Sequence, residues 1–232
     1  MGKTGGAMAG QKTGQLRPLG GLNPSQEEAV TYCDGPLLVL AGAGSGKTRV
    51  LAYKAAYLVS EKAIPAHRIL AVTFTNKAAA EMRERVRALL GPQSRGLQAC
   101  TFHSYGLRFL QRNRDVLGRV GLAKDFVVFD RSDCRSLVKE ILQGMNLDEE
   151  RIEIPWLLDQ ISRRKTKTAT SGEEEVFADV VREVEKAYEG LLKSQNAVDF
   201  DDLLELPLEL LKDPVVMEKE REALEWILVD EY

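Results

Sequence analysis

The 232 residues are 44% apolar and 29% charged, a balance suited to burying a core, and at roughly 100 to 200 residues per domain the length allows one domain or two. The net charge of −3 points to no polyanionic partner on average, yet residues 1–120 carry 17 basic and 7 acidic side chains while 121–232 carry 15 and 28, so the N-terminal half could face a polyanion. Cys33, Cys100 and Cys134 are too scattered for a disulfide framework or a C-x-x-C knuckle, the longest apolar runs fall far short of the roughly 20 residues a bilayer demands, and a reducing, cytoplasmic setting without a membrane span is expected.

In chain order, residues 1–20 read as a flexible leader, Gly-rich and without the apolar core of a secretory signal. A helix is expected over 22–30, capped by Asn23 or Ser25 with Pro24 near its first turn. Apolar bursts then alternate with amphipathic stretches: a buried strand over 36–41 (PLLVLA), a helix over 47–61, a strand over 69–74 (ILAVTF), a helix over 77–90, and a short strand over 98–102 feeding a helix to about 113. Such alternation predicts an α/β layer fold with parallel strands. From about 130 to 225 only helical patterns follow, over 132–145, 155–165, 176–194, 200–211 and 214–225, before a strand-like run at 226–229 (WILV). A helical block between strands of one sheet predicts an inserted subdomain, placed at 107–197, with 21–106 before it and 198–232 returning to the sheet.

The sharpest chemical signal is the run Ala41, Gly42, Ala43, Gly44, Ser45, Gly46, Lys47, Thr48 between the first strand and its helix. Small residues let backbone N–H groups turn toward an anion, and the helix start adds open donors and the positive end of its dipole. Lys47 can reach the β- and γ-phosphates of a nucleotide and the Thr48 hydroxyl can ligate Mg²⁺. Only the first position departs from the strict P-loop pattern, with Ala41 in place of Gly. The run WILV then delivers Asp230 to a sheet edge as a metal carboxylate, and Glu231, one residue on, is placed to orient or deprotonate an attacking water.

From these blocks onward the chain resembles the UvrD/Rep group of superfamily 1 DNA helicases. Leu22-Asn23-Pro24-Ser25-Gln26 is similar to the Q motif, and AGAGSGKT to the group's first motif, including its Ala. The segment 71–82 (AVTFTNKAAAEM) resembles motif Ia, 101–104 (TFHS) motif Ib, 199–203 (DFDDL) a further block of the group, and VDEY the start of motif II. The resemblance implies a RecA-like P-loop parallel sheet, the first motor domain, carrying an inserted helical subdomain. It implies ATP and Mg²⁺ as cofactors, with Gln26 reading adenine through an amide that both donates and accepts, and single-stranded and partly duplex DNA as partners. Phe74, Thr75 and Asn76, with Thr101, Phe102 and His103, carry over as DNA contacts, and an aromatic stacked on a base tolerates any sequence. The activity implied is ATP hydrolysis coupled to 3′ to 5′ translocation and unwinding, serving replication or repair. A helicase arm of a helicase–nuclease and a P-loop nucleotide switch without motor activity are the rival readings.

Several features admit plainer readings. Phe74 would serve as core if it ended a buried strand, and His103 as a cap or a core residue. The basic run 163–167 (RRKTK) reads as a solvated helix end or a contact to duplex DNA. Asp199, Asp201 and Asp202 read as helix N-terminal carboxylates, and Trp156 and Trp226 as core anchors. Related helicases continue well past motif II, so a second RecA-like domain and the arginines that reach the γ-phosphate are expected beyond Tyr232. With them absent, an unpaired sheet edge and little turnover are expected.

Overall fold

The computed structural model describes residues 20–42, 44–147, 152–166, 168 and 178–230, so the leader lies outside the described residues apart from Gly20. In chain order the elements are α1 (Pro24–Thr31), α2 (Lys47–Ser60), β1 (Ile69–Thr73), α3 (Asn76–Leu90), β2 (Gln98–Thr101), α4 (Phe102–Arg112), β3 (Val127–Val128), α5 (Arg131–Gly144), α6 (Ile154–Lys165), α7 (Ala178–Ser194), β4 (Ala197–Val198), α8 (Asp202–Leu210), α9 (Pro214–Ala223) and β5 (Trp226–Val229). The fold is mixed α/β, with a small sheet and nine α-helices among the described residues. The chain divides into two compact units, Met1–Cys100 with Leu224–Tyr232, and Thr101–Ala223.

In the first unit Asn23 starts α1 through a reciprocal box. Its side chain accepts the Gln26 N–H at 2.9 Å, and the Gln26 side chain accepts the Asn23 N–H at 3.1 Å, which satisfies two donors that a helix start leaves open. The sheet runs β2-β1-β5, with β5 parallel to β1 and Ile69 opposite Trp226. All five residues of β1 are buried, as befits a central strand covered on both faces. Small residues on α2, Ala52, Ala55 and Ala56, let it approach Met82 and Val86 of α3 closely, with Ile69, Ala71 and Leu228 beneath.

One expected strand is absent. Residues 36–41 form no strand, and Leu37, Leu38, Val39 and Leu40 are exposed, Leu40 by 88%. A strand exists only through a ladder. The run pairs with none of β2, β1 and β5 among the described residues, and its apolar character alone cannot make it a strand.

In the second unit Leu137, Val138, Ile141 and Leu142 form one stripe of α5 and pack with Leu157 and Ile161 of α6 and Val184 and Tyr188 of α7. A second cluster joins Phe109 and Leu110 of α4 to Leu203 and Leu210 of α8 and Val216 of α9. Gly106 makes the α4–α8 approach possible, because a Cβ there would lie 1.8 Å from the Leu203 carbonyl oxygen. Two-residue strands β3 and β4 pair in parallel, Val127 opposite Ala197; they are too short for any periodicity to announce.

Candidate functional site

The P-loop of the first unit is built by backbone conformation. Gly44 and Gly46 sit at φ of +74° and +90°, a region that side chains avoid, and a Cβ on Gly46 would also meet Gln26 Nε2 at 3.2 Å. Gly46 is the N-cap of α2 and offers no side-chain cap, so the first-turn N–H groups of α2 stay open to an anion. Ala43 lies outside the described residues.

Lys47 Nζ donates to the carbonyls of Ala41 at 2.9 Å and Gly42 at 3.0 Å, so its ammonium is already folded over the loop. Gln26, on α1, donates from Nε2 to the Ser45 carbonyl at 3.0 Å. Both ends of its amide are therefore engaged, one with the loop and one with the Asn23 N–H.

The acidic partner arrives along β5. The ladder to β1 continues beyond that strand through the Asp230 N–H, which donates to the Val72 carbonyl at 2.8 Å. Asp230 is 5% exposed, and its Oδ2 accepts the Thr48 hydroxyl at 2.9 Å across 182 residues of chain. Among the described residues no cation pairs with it. A hydroxyl and an otherwise unpaired buried carboxylate, side by side at the mouth of a Gly-rich loop, suit a hard divalent cation that takes one or two protein oxygens and keeps its waters. Glu231 lies outside the described residues.

The first unit also carries Phe74, Thr75 and Asn76, immediately past β1. Phe74 stands 72% exposed, which removes its reading as core. Thr75 caps α3, its Oγ1 accepting the Ala78 N–H at 3.1 Å, and Asn76 is the exposed first residue of that helix. In the second unit Thr101 does the same for α4, accepting the Ser104 N–H at 3.2 Å. Phe102 is exposed at its start, and His103 meets Phe200 edge-on with ring centroids 5.8 Å apart. Phe200, 49% exposed, is an aromatic surface that sequence reading passed over. The signal was a Phe set between Asp199 and Asp201, a poor site for a core residue.

The basic run at 163–167 is largely spent within the second unit. Arg163 pairs with Asp159 at 2.8 Å and Arg164 with Glu185 at 2.7 Å. Lys165, half-buried, pairs with Asp199 at 2.9 Å and Asp202 at 2.7 Å, while Tyr188 donates to Asp199 Oδ2 at 3.1 Å. Burial works to lower the Lys165 pKa, but the two carboxylates outweigh it and the net shift is upward. Asp199 and Asp202 also cap each other's N–H groups, at 2.9 and 3.0 Å. Among the described residues no cluster of His, Cys, Asp and Glu is able to hold a metal by itself. Trp156 is 40% exposed rather than a core anchor, whereas Trp226 packs against the core of the first unit. No helix among the described residues is long and apolar enough to cross a membrane.

A family model described as the UvrD/REP helicase N-terminal domain matches residues 22–232. The chain belongs to the UvrD/REP helicase family. It is 43% identical over 224 residues to the ATP-dependent DNA helicase PcrA of Bacillus subtilis (strain 168), a match covering 92% of this chain and 29% of that protein. The PcrA proteins of Leuconostoc citreum and Staphylococcus aureus (strain Mu50 / ATCC 700699) are 41% and 40% identical, each over 91% of this chain and 29% of theirs. The chain thus spans under a third of the length of these UvrD/REP relatives. The matched span starts ahead of Gln26 and takes in the P-loop, both threonine-capped blocks, Phe200 and Asp230.

Proposed function

We propose that this chain is the nucleotide-gripping part of an ATP-dependent DNA helicase, with residues 21–106 and 198–232 forming a RecA-like motor domain and 107–197 its inserted helical subdomain. ATP would seat its phosphates on the loop from Ala41 to Thr48, with Lys47 moving from the loop carbonyls to the phosphates and Gln26 turning its amide toward the adenine edge. Thr48 and Asp230 would hold Mg²⁺, which when bound neutralises phosphate charge. Glu231 follows the metal carboxylate as the residue to orient water. The observation that carries this reading is the 2.9 Å contact of Thr48 Oγ1 with Asp230 Oδ2, which joins the loop and the carboxylate strand at one point.

For DNA, Phe74, Phe102 and Phe200 offer rings to bases, and His103 braces Phe200. Thr75 and Thr101 cap helix starts whose open N–H groups suit phosphates. Movement and strand separation belong to the whole protein, where a second RecA-like domain would supply the arginines that compensate γ-phosphate charge. The test on this chain is Mg²⁺-dependent ATP binding by titration calorimetry, together with binding of a single-stranded oligonucleotide by anisotropy. On the whole protein it is ATP hydrolysis stimulated by single-stranded DNA and unwinding of a 3′-tailed duplex. A chain that binds ATP equally well in EDTA and in Mg²⁺, or a whole protein whose hydrolysis ignores DNA, contradicts the proposal.

A further inference from the structure

We propose that Lys54 is a positioning residue for the base of the bound nucleotide: from the middle of α2 it fixes the C-terminal end of α1, and with it the place of Gln26 near the other end. This rests on the nucleotide reading above and deepens it.

α1 has eight residues and a single buried side chain, Val30. So short a helix holds neither itself nor its orientation by propensity, and its ties to the rest of the first unit decide where it lies. Near its start, Gln26 reaches the Ser45 carbonyl of the P-loop. At its end, Lys54 Nζ donates to the carbonyl of Val30 at 3.0 Å and to that of Tyr32. The last carbonyls of a helix lack partners and carry the negative end of its dipole, so an ammonium there serves as donor and counter-charge together.

Lys54 lies two turns beyond Lys47 along the same helix face. Its ammonium sits 5.0 Å from the centroid of the Trp226 ring, at the start of the strand that leads to Asp230, and 3.6 Å from Cys33 Sγ. One cation thus touches the end of the helix bearing Gln26, springs from the helix bearing Lys47 and Thr48, and covers the first residue of the carboxylate strand. It is 6% exposed, and burial lowers its pKa. Among the described residues no carboxylate pairs with it. Burying an ammonium without a carboxylate is costly; a side chain needed only to fill that space would be apolar. The polar head is explained by the carbonyls it holds.

Phosphate binding does not depend on this tie, because the loop glycines, Lys47 and the start of α2 stand without it. Base reading does. Calorimetric titration of the 232-residue chain with Mg²⁺ and ATP, GTP or inorganic tripolyphosphate separates the two. The wild-type chain is expected to prefer ATP. Lys54→Met should lower ATP affinity about tenfold, the scale of one or two lost amide hydrogen bonds, to the level of GTP. Tripolyphosphate should bind as before, and Lys54→Arg should restore most of the ATP preference. A Lys54→Met chain that keeps the wild-type preference overturns the proposal, and so does an equal loss for all three ligands, which marks a merely structural role. Should Lys54→Met fail to fold by circular dichroism, Lys54→Gln is read in the same way; if neither folds, Lys54 is a core residue and the proposal fails. A wild-type chain that binds none of the three ligands, or binds ATP and GTP alike, refutes instead the nucleotide reading on which it rests.

Discussion

Lys47 makes its hydrogen bonds to the carbonyls of Ala41 and Gly42, both in an exposed loop, so little of the fold depends on it. Lys47→Ala should therefore shift stability by under about 0.5 kcal/mol. It should weaken ATP binding roughly tenfold to a hundredfold, the range for losing hydrogen bonds from a charged donor, and abolish hydrolysis by the whole protein. Unchanged ATP affinity in calorimetry, with an unchanged melt, would remove the P-loop assignment. Tyr105 gives a second test at this scale. Its hydroxyl donates to Glu220 Oε2 at 2.9 Å, and burial followed by the Glu220 charge pushes the phenol up to about 12 from 10.0. The folded state keeps this proton between pH 10 and 12, where the unfolded chain has lost it. The associated stability is whole below pH 10 and disappears as pH rises through about 12. Thermal melts against pH should fall more steeply above pH 10 for the wild type than for Tyr105→Phe, and parallel curves would contradict the coupling. The meeting of the glycine loop, Thr48 and Asp230 was legible beforehand, because these residues announce themselves by type and spacing. The present use of Gln26 was not, because a capping box and a bond to Ser45 both depend on where the loop lies. Lys54 gave no sign at all, since a lysine in a helix reads as surface.

Among elements, helix ends follow their caps and are found within two residues of expectation, as with Asn23, Thr75 and Thr101, because capping is local chemistry. Strands depend on distant partners, and there the reading failed for 36–41. The basic end of α6 is a similar case: Lys165 meets Asp199 34 residues away, a pairing that no local pattern carries. Replacing Lys165 by Met leaves the buried Asp199 and the half-buried Asp202 without their cation, which should cost about 3–5 kcal/mol near neutral pH. Burial, and then the Asp199 charge, already raise the Asp202 pKa. Without Lys165 the Asp202 carboxyl should bind its proton more readily when folded than when unfolded, so the deficit should shrink as pH falls toward 5. Denaturant titrations at pH 7.5 and 5 that give equal losses would rule this out. Gly106 ties α4 to α8 more simply. Gly106→Ala places a methyl 1.8 Å from backbone oxygen and should cost about 3 kcal/mol through overpacking, with hydrogen exchange quickening first in those two helices; exchange unchanged in both would show that the approach can relax.

For the whole molecule, the decisive quantity is how charge is distributed along the chain. A net charge of −3 repels DNA weakly at long range, but the excess of 17 basic over 7 acidic residues in 1–120 against 15 over 28 in 121–232 means that the average conceals an attractive half. That asymmetry was fully legible, because charge needs no fold to be counted. Which basic side chains stay open was not, as Arg163, Arg164 and Lys165 show by pairing within the second unit. Salt dependence separates the two influences. If DNA meets the basic half, each neutralised phosphate of a single strand releases counterions and contributes about −0.7 to the slope of log affinity against log salt. Two or more such contacts give a slope of about −1.4 or steeper, even though the molecule as a whole is an anion. If DNA met the acidic half instead, salt would screen repulsion, and affinity would hold steady or rise with added salt. Anisotropy titrations of a fluorescent oligothymidine between low and physiological salt should therefore show a steep loss of affinity. A flat or rising dependence would move the DNA surface away from Phe74, Thr75 and Asn76, because those residues lie in the half whose charge would then be contributing nothing.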